Sequence, residues 1–225
     1  MCLALIAGYV DAYSLRAFHT YVSFMSGNTT ELGSMAGQGR LVAGSAVAIL
    51  FFVWGSVAGT YLAHSRLRHS RQLFFGVVAA LLAAATGVSQ LGAPDASACI
   101  ATLSFAMGLM NATLPSIGGE SVGLTFITGD LSRIGGHLAL AVKRVPLPDA
   151  QGPWDTQVHR AGLLAIVWGS FLIGAVISGA MMPHFGARVL VFPFSILVAL
   201  AMFSWAKDTK VAQSSSVATQ GERAR

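Results

Sequence analysis

Charge is scarce in this chain: only 10% of its 225 residues are Asp, Glu, Lys or Arg, against roughly 25% in soluble domains. Cysteine is scarcer still, and Cys2 and Cys99 form no motif and imply no disulfide framework. The histidines (His19, His64, His69, His137, His159 and His184) show no metal-ligand spacing. No Walker loop, nucleophile elbow or HExxH zinc motif occurs. These absences argue against an enzyme, and no cofactor or metal site is expected.

Apolar residues fill the space that charge leaves. They make up 54% of the chain, and the mean hydropathy is +0.66. Leu41 to Ala63, Leu73 to Ala93, Ala161 to His184 and Val189 to Ala206 each run without an Asp, Glu, Lys or Arg. About 20 apolar residues span a bilayer as a helix, so these four are expected spans. Cys2 to Leu15 and Ala96 to Leu114 are weaker candidates, the first because Asp11 interrupts it. A cleaved signal peptide would also begin with an apolar run, but it needs a basic leader. This segment has none, and it has an internal copy.

That copy reveals the plan of the chain. Gly8-Tyr-Val-Asp11-Ala12 is echoed by Gly108-Leu-Met-Asn111-Ala112, and Phe24-Met-Ser26-Gly27-Asn28-Thr29 by Phe126-Ile-Thr128-Gly129-Asp130-Leu131. The acidic group changes place between copies. Trp54-Gly55-Ser56 against Trp168-Gly169-Ser170 reads as a third echo. The expected units are a first membrane repeat over 1–93, a second over 94–206 with a linker at 143–160, and a disordered cytoplasmic tail at 207–225.

The expected fold is an all-α polytopic membrane protein of about six transmembrane helices. Three spans per half reverse the second half, giving two inverted three-helix repeats. Basic residues set the orientation. Arg66, Arg68 and Arg71 crowd one loop; Lys143, Arg144 and Arg160 lie in the linker; Lys207, Lys210, Arg223 and Arg225 lie in the tail. Asp95 stands in a loop without bases. Both termini are therefore expected in the cytoplasm and Asp95 outside. An eight-span alternative would send the Arg66 loop outside. The net charge of +5 is thus a topology signal, and no nucleic-acid partner is expected.

The segments Tyr21 to Gly37 and Val122 to Ala141 are apolar yet hold polar groups around a central glycine. A broken or re-entrant segment is the expectation, with Gly27 and Gly129 at the bend. Ordinary tilted helices packed by small residues are the plainer alternative. The candidate substrate or proton pathway comprises Asp11, Ser26, Gly27, Asn28, Asn111, Thr128, Gly129 and Asp130, with Arg133 as the ion-pair partner of Asp130 one turn on. Asp11 has no base within a helical turn and is the first candidate for a proton carrier. Helix-bridging glue is the rival role for Asn111. Gly55-x3-Gly59 and Ser170-x3-Gly174 fit helix packing, Trp54 and Trp168 fit packing inside a span, and Glu31 and Glu120 fit solvated membrane edges.

The two motifs, in this order, resemble the YoaK-like family of bacterial inner-membrane proteins, a domain of unknown function. The resemblance covers roughly residues 3 to 206. It implies a compact multi-pass protein of the bacterial inner membrane, with a chain that runs somewhat longer at the N-terminus, and it supplies no substrate. The functional expectation is a proton-coupled small-solute transporter with its site between the repeats. A passive channel and a non-transporting scaffold or accessory protein are the alternatives. The partners expected are the lipid bilayer and a small solute of unknown identity, with homo-oligomerisation left open.

Overall fold

The computed structural model describes residues 1–65, 70–90, 95–112 and 127–206. Arg66, Arg68, Glu120, the second motif as far as Phe126 and the tail from residue 207 lie outside the described residues. Within them every regular element is helical, with no strand. The order is α1 (Cys2–Phe18), α2 (Met25–Ala36), α3 (Ala43–Ala63), α4 (Ser70–Gln90), α5 (Ala96–Ala112), α6 (Ile127–Val142) and α7 (Gln157–Phe185). A 3-10 turn at Gly186–Leu190 follows, and helix resumes as α8 over residues 191–206.

Among the described residues three stretches are long and apolar enough to cross a membrane: Ala43–Ala63, Gln72–Ser89 and Gln157–Ala206. The last contains both of the final spans read from the sequence. They are separated at Gly186, whose φ of 53° suits a residue without Cβ. Ala96–Ala112 is apolar but shorter. The starts and stops follow local chemistry. The Thr156 hydroxyl accepts the His159 N–H at 3.1 Å and caps α7. His19 adopts a left-handed φ of 54° and returns its N–H to the Leu15 carbonyl, closing α1.

Burial in α3 runs opposite to that of a soluble helix. Ser45, Ala48, Gly55 and Gly59 face inward, while Leu50, Phe51, Val53, Trp54, Val57 and Tyr61 are exposed. Large apolar groups outside and small ones inside suit a lipid surround and close helix contact. Trp54 therefore points outward, 59% exposed, and has no internal packing role. The centre of the molecule belongs to α1 and α5, whose motif halves are almost wholly buried. Tyr9 donates its hydroxyl to the Val189 carbonyl at 2.9 Å, tying α1 to the turn before α8.

The packing is reciprocal. Helix α1 lies along α7, and α5 lies along α3. Each contact is made backbone to backbone at glycine. A Cβ on Gly8 would stand 2.0 Å from the Phe171 carbonyl oxygen, and one on Gly108 would stand 2.1 Å from that of Phe52. From the other side, Gly174 meets the Leu5 carbonyl and Gly55 meets that of Phe105. The partner of Gly55 in this scheme is thus Gly174. Gly169, its partner in the Trp-Gly-Ser echo, has no described residue within 4 Å of where a Cβ would stand. That echo is out of register with the packing, and the packing pair Gly55-x3-Gly59 corresponds to Gly174-x3-Ser178, with Ser178 buried.

Candidate functional site

Between α1 and α2 the chain passes through Thr20 to Phe24 without regular helix. Two polar side chains hold this loop. Asp11 is 4% exposed, and its Oδ1 accepts the N–H of Val22 at 2.8 Å and of Ser23 at 2.9 Å. Asn28 is fully buried. Its Oδ1 accepts the Tyr21 N–H at 3.2 Å, and its Nδ2 donates to the Tyr21 carbonyl at 2.7 Å. Three successive backbone N–H groups, at Tyr21, Val22 and Ser23, are thereby satisfied by two motif residues. Buried backbone donors left unpaired are costly, so the motif spacing has a direct structural reason.

Gly27 is not at a bend. It lies inside the first turn of α2, and its missing Cβ makes room for the Phe24 ring, which would stand 2.5 Å away. The interruption falls before it, at Thr20 to Phe24. The 12 residues of α2 reach only ~18 Å at 1.5 Å per residue, short of a ~30 Å hydrocarbon core. Ser26 is exposed and Gly27 half-buried.

In the second half the acid sits on the other helix. Asp130 is 1% exposed on α6, and neither of its oxygens has a hydrogen bond among the described residues. Thr128 is exposed, while Asn111, Gly129 and Arg133 are half-buried. Asn111 and Arg133 each carry interactions of their own. The structure thus brings Asp11 and Asn28 together on one loop. The hydrogen bonds of these two run to that loop and to Met25, not to Asp130.

Two short helices each opening on a buried Asn or Asp, framed by apolar helices with large exposed side chains, are the shared geometry of the halves. The chain belongs to the DUF1275 family. That family is described as protein of unknown function, and its profile matches residues 1–203, in agreement with the resemblance carried by the two motifs. A UPF0700 transmembrane protein of Rhizobium meliloti (strain 1021) is 34% identical over 196 residues, covering 85% of this chain and 78% of that protein. No solved structure matches the chain. This DUF1275 chain is accordingly a membrane protein by family and by its apolar helices.

Sequence reasoning placed Glu31 at a solvated membrane edge and missed its contact with the next helix. Glu31 is half-buried, and its Oε2 accepts the Ser45 hydroxyl proton at 2.5 Å, linking α2 to α3. It borders an open cleft of about 520 Å³ lined by Tyr21, Phe24, Ser26, Gly27, Thr30, Glu31, Ser34 and Met35. Its place three residues beyond Asn28, on the same helix face, was the available signal. Sequence reasoning also missed a cluster in the linker. Buried Arg160 binds Asp155 through Nε and Nη2 at 2.9 and 2.8 Å and Asp149 through Nη1 at 3.1 Å. The guanidinium, with the Gln151 N–H, pulls the Asp155 carboxyl down to about 2. Among the described residues no cluster of His, Cys, Asp and Glu is suited to a metal ion.

Proposed function

We propose that this protein is a small-solute transporter of the bacterial inner membrane, built as two inverted repeats with both termini in the cytoplasm. The observation that carries this reading is the reciprocal packing. The first helix of each half crosses the third helix of the other through Gly8 against Phe171 and Gly108 against Phe52. Such exchange is what a pseudo-two-fold axis relating the halves would produce; three spans per half would lay that axis in the membrane plane, and inverted repeats of this kind place substrate sites at the repeat interface. The basic loops orient the six-span arrangement.

Proton coupling is the second part of the proposal. A buried carboxyl in a membrane protein is expensive and marks a pathway or a site. Asp11 is committed to the Val22 and Ser23 N–H groups. Asp130 carries no such bond among the described residues, so we assign it the proton-exchanging role, with Arg133 one turn away on α6. Asp11, Asn28 and Asn111 then shape the pathway, with Ser26, Gly27, Thr128 and Gly129 beside it.

Solute flux into proteoliposomes, measured with and without an imposed pH gradient, tests the proposal. Saturable flux that follows the gradient is expected. Flux that does not saturate and ignores the gradient would make the protein a passive channel. No flux of any solute would leave a scaffold or accessory protein.

A further inference from the structure

We propose that the cleft beside α2 is a subsite for a small organic cation, an ammonium compound held by the Glu31 carboxylate and the Tyr21 and Phe24 rings. The proposal rests on the transporter reading and names its substrate class. The volume of about 520 Å³ falls within the roughly 300–1,000 Å³ typical of small-molecule sites. Among the described residues the lining contains one carboxylate and no Lys, Arg or His, so the cleft offers negative charge that none of these lining residues neutralises.

The remaining groups suit the same ligand. Glu31 is fixed at the wall by the Ser45 hydroxyl at 2.5 Å. Thr30 donates its hydroxyl proton to the Ser26 carbonyl at 3.0 Å, which leaves its oxygen as an acceptor. Tyr21 and Phe24 stand edge to face, with centroids 5.2 Å apart and planes at 80°. Aromatic faces attract alkylated ammonium groups through the ring quadrupole. A bare metal ion is a poorer fit, because it needs several oxygen ligands to replace its water and Glu31 is the only acid among the described lining residues. An anion would face the carboxylate directly.

Choline and its uncharged isostere 3,3-dimethylbutanol are the probes, titrated calorimetrically into the full chain in lipid nanodiscs. Proteoliposome flux is measured in parallel with neutral, anionic and cationic solutes. The expected result is choline binding at least tenfold tighter than that of the isostere, with a loss of at least tenfold in Glu31→Gln. That variant keeps an acceptor for Ser45, so its fold should persist; Tyr21→Leu should weaken choline as well. Equal affinity for the two probes on the unaltered protein, or choline binding indifferent to Glu31→Gln, would overturn the proposal without depending on any variant's folding. Absence of choline binding alongside flux of another solute would overturn the cation subsite and leave the transporter reading standing. Glu31-dependent choline binding without flux of any solute would support the subsite and remove the transporter reading.

Discussion

Gly174 of α7 approaches the Leu5 carbonyl of α1 so closely that a Cβ would stand 2.0 Å from the oxygen. Gly55 stands in the same relation to Phe105, at 2.1 Å. Neither backbone can give way without separating the helices along the whole crossing. Gly174→Ala and Gly55→Ala are each expected to destabilise the protein by about 1–3 kcal/mol, the usual cost of overpacking. Gly169→Ala should be nearly neutral, since none of the described residues lies within 4 Å of the added methyl. Thermal unfolding in detergent compares the three. A Gly169 variant as damaged as the Gly174 variant would restore the register of the Trp-Gly-Ser echo.

Asp11 gives a prediction about local structure. Asp11→Ala leaves the Val22 and Ser23 N–H groups unpaired, at about 1–3 kcal/mol for each buried donor. Asp11→Asn retains an amide oxygen that can accept both. Amide hydrogen exchange over residues 20–24 should therefore accelerate strongly in the alanine variant and little in the asparagine variant. Equal protection in the wild type and Asp11→Ala would mean the loop is held by other contacts.

Asp130 gives the complementary functional prediction. Asp130→Asn should uncouple flux from the pH gradient while the folded protein persists, because an amide keeps the size but cannot exchange a proton at neutral pH. Asp11→Asn should leave the coupling in place. The reverse outcome, with coupling lost only in Asp11→Asn, would return the proton-carrying role to the first motif.

The linker responds to acid in a calculable direction. Asp155 has its folded pKa lowered to about 2 by the Arg160 hydrogen bonds, below the ~3.9 of an unperturbed Asp. A depressed carboxyl contributes stability that is complete above the unfolded value and is lost as pH falls through the folded one. The unfolding temperature of the wild type should therefore exceed that of Asp155→Asn at pH 7, and the gap should close between about pH 4 and pH 2. A gap that stays constant over that range would show that Asp155 contributes by shape rather than charge.

Topology is checked by labelling. With Cys2 and Cys99 replaced, a membrane-impermeant maleimide applied to intact cells should modify a cysteine at position 95 and spare one at position 68. The opposite pattern would end the six-span arrangement with both termini inside.

The sequence by itself determined the medium and the repeat motifs. Scarce charge and long apolar runs leave too little polar surface to clothe a soluble domain, and Leu41 to Ala63 reads directly as the α3 that forms. The exchange of Asp11 for Asn111 and of Asn28 for Asp130 is visible without coordinates. Only the tertiary structure decided what these groups do. The partners of Asp11 are backbone N–H groups of Val22 and Ser23, and every residue except proline carries such a group, so no side-chain pattern announces them. The Ser45 bond of Glu31 joins two helices across a loop, and hydropathy alone read that carboxyl as solvated. The register of the third helices was likewise hidden. Trp54-Gly55-Ser56 and Trp168-Gly169-Ser170 match as letters, yet the crossing selects Gly174, because close approach depends on which glycine faces the neighbouring backbone rather than on which flanks a tryptophan.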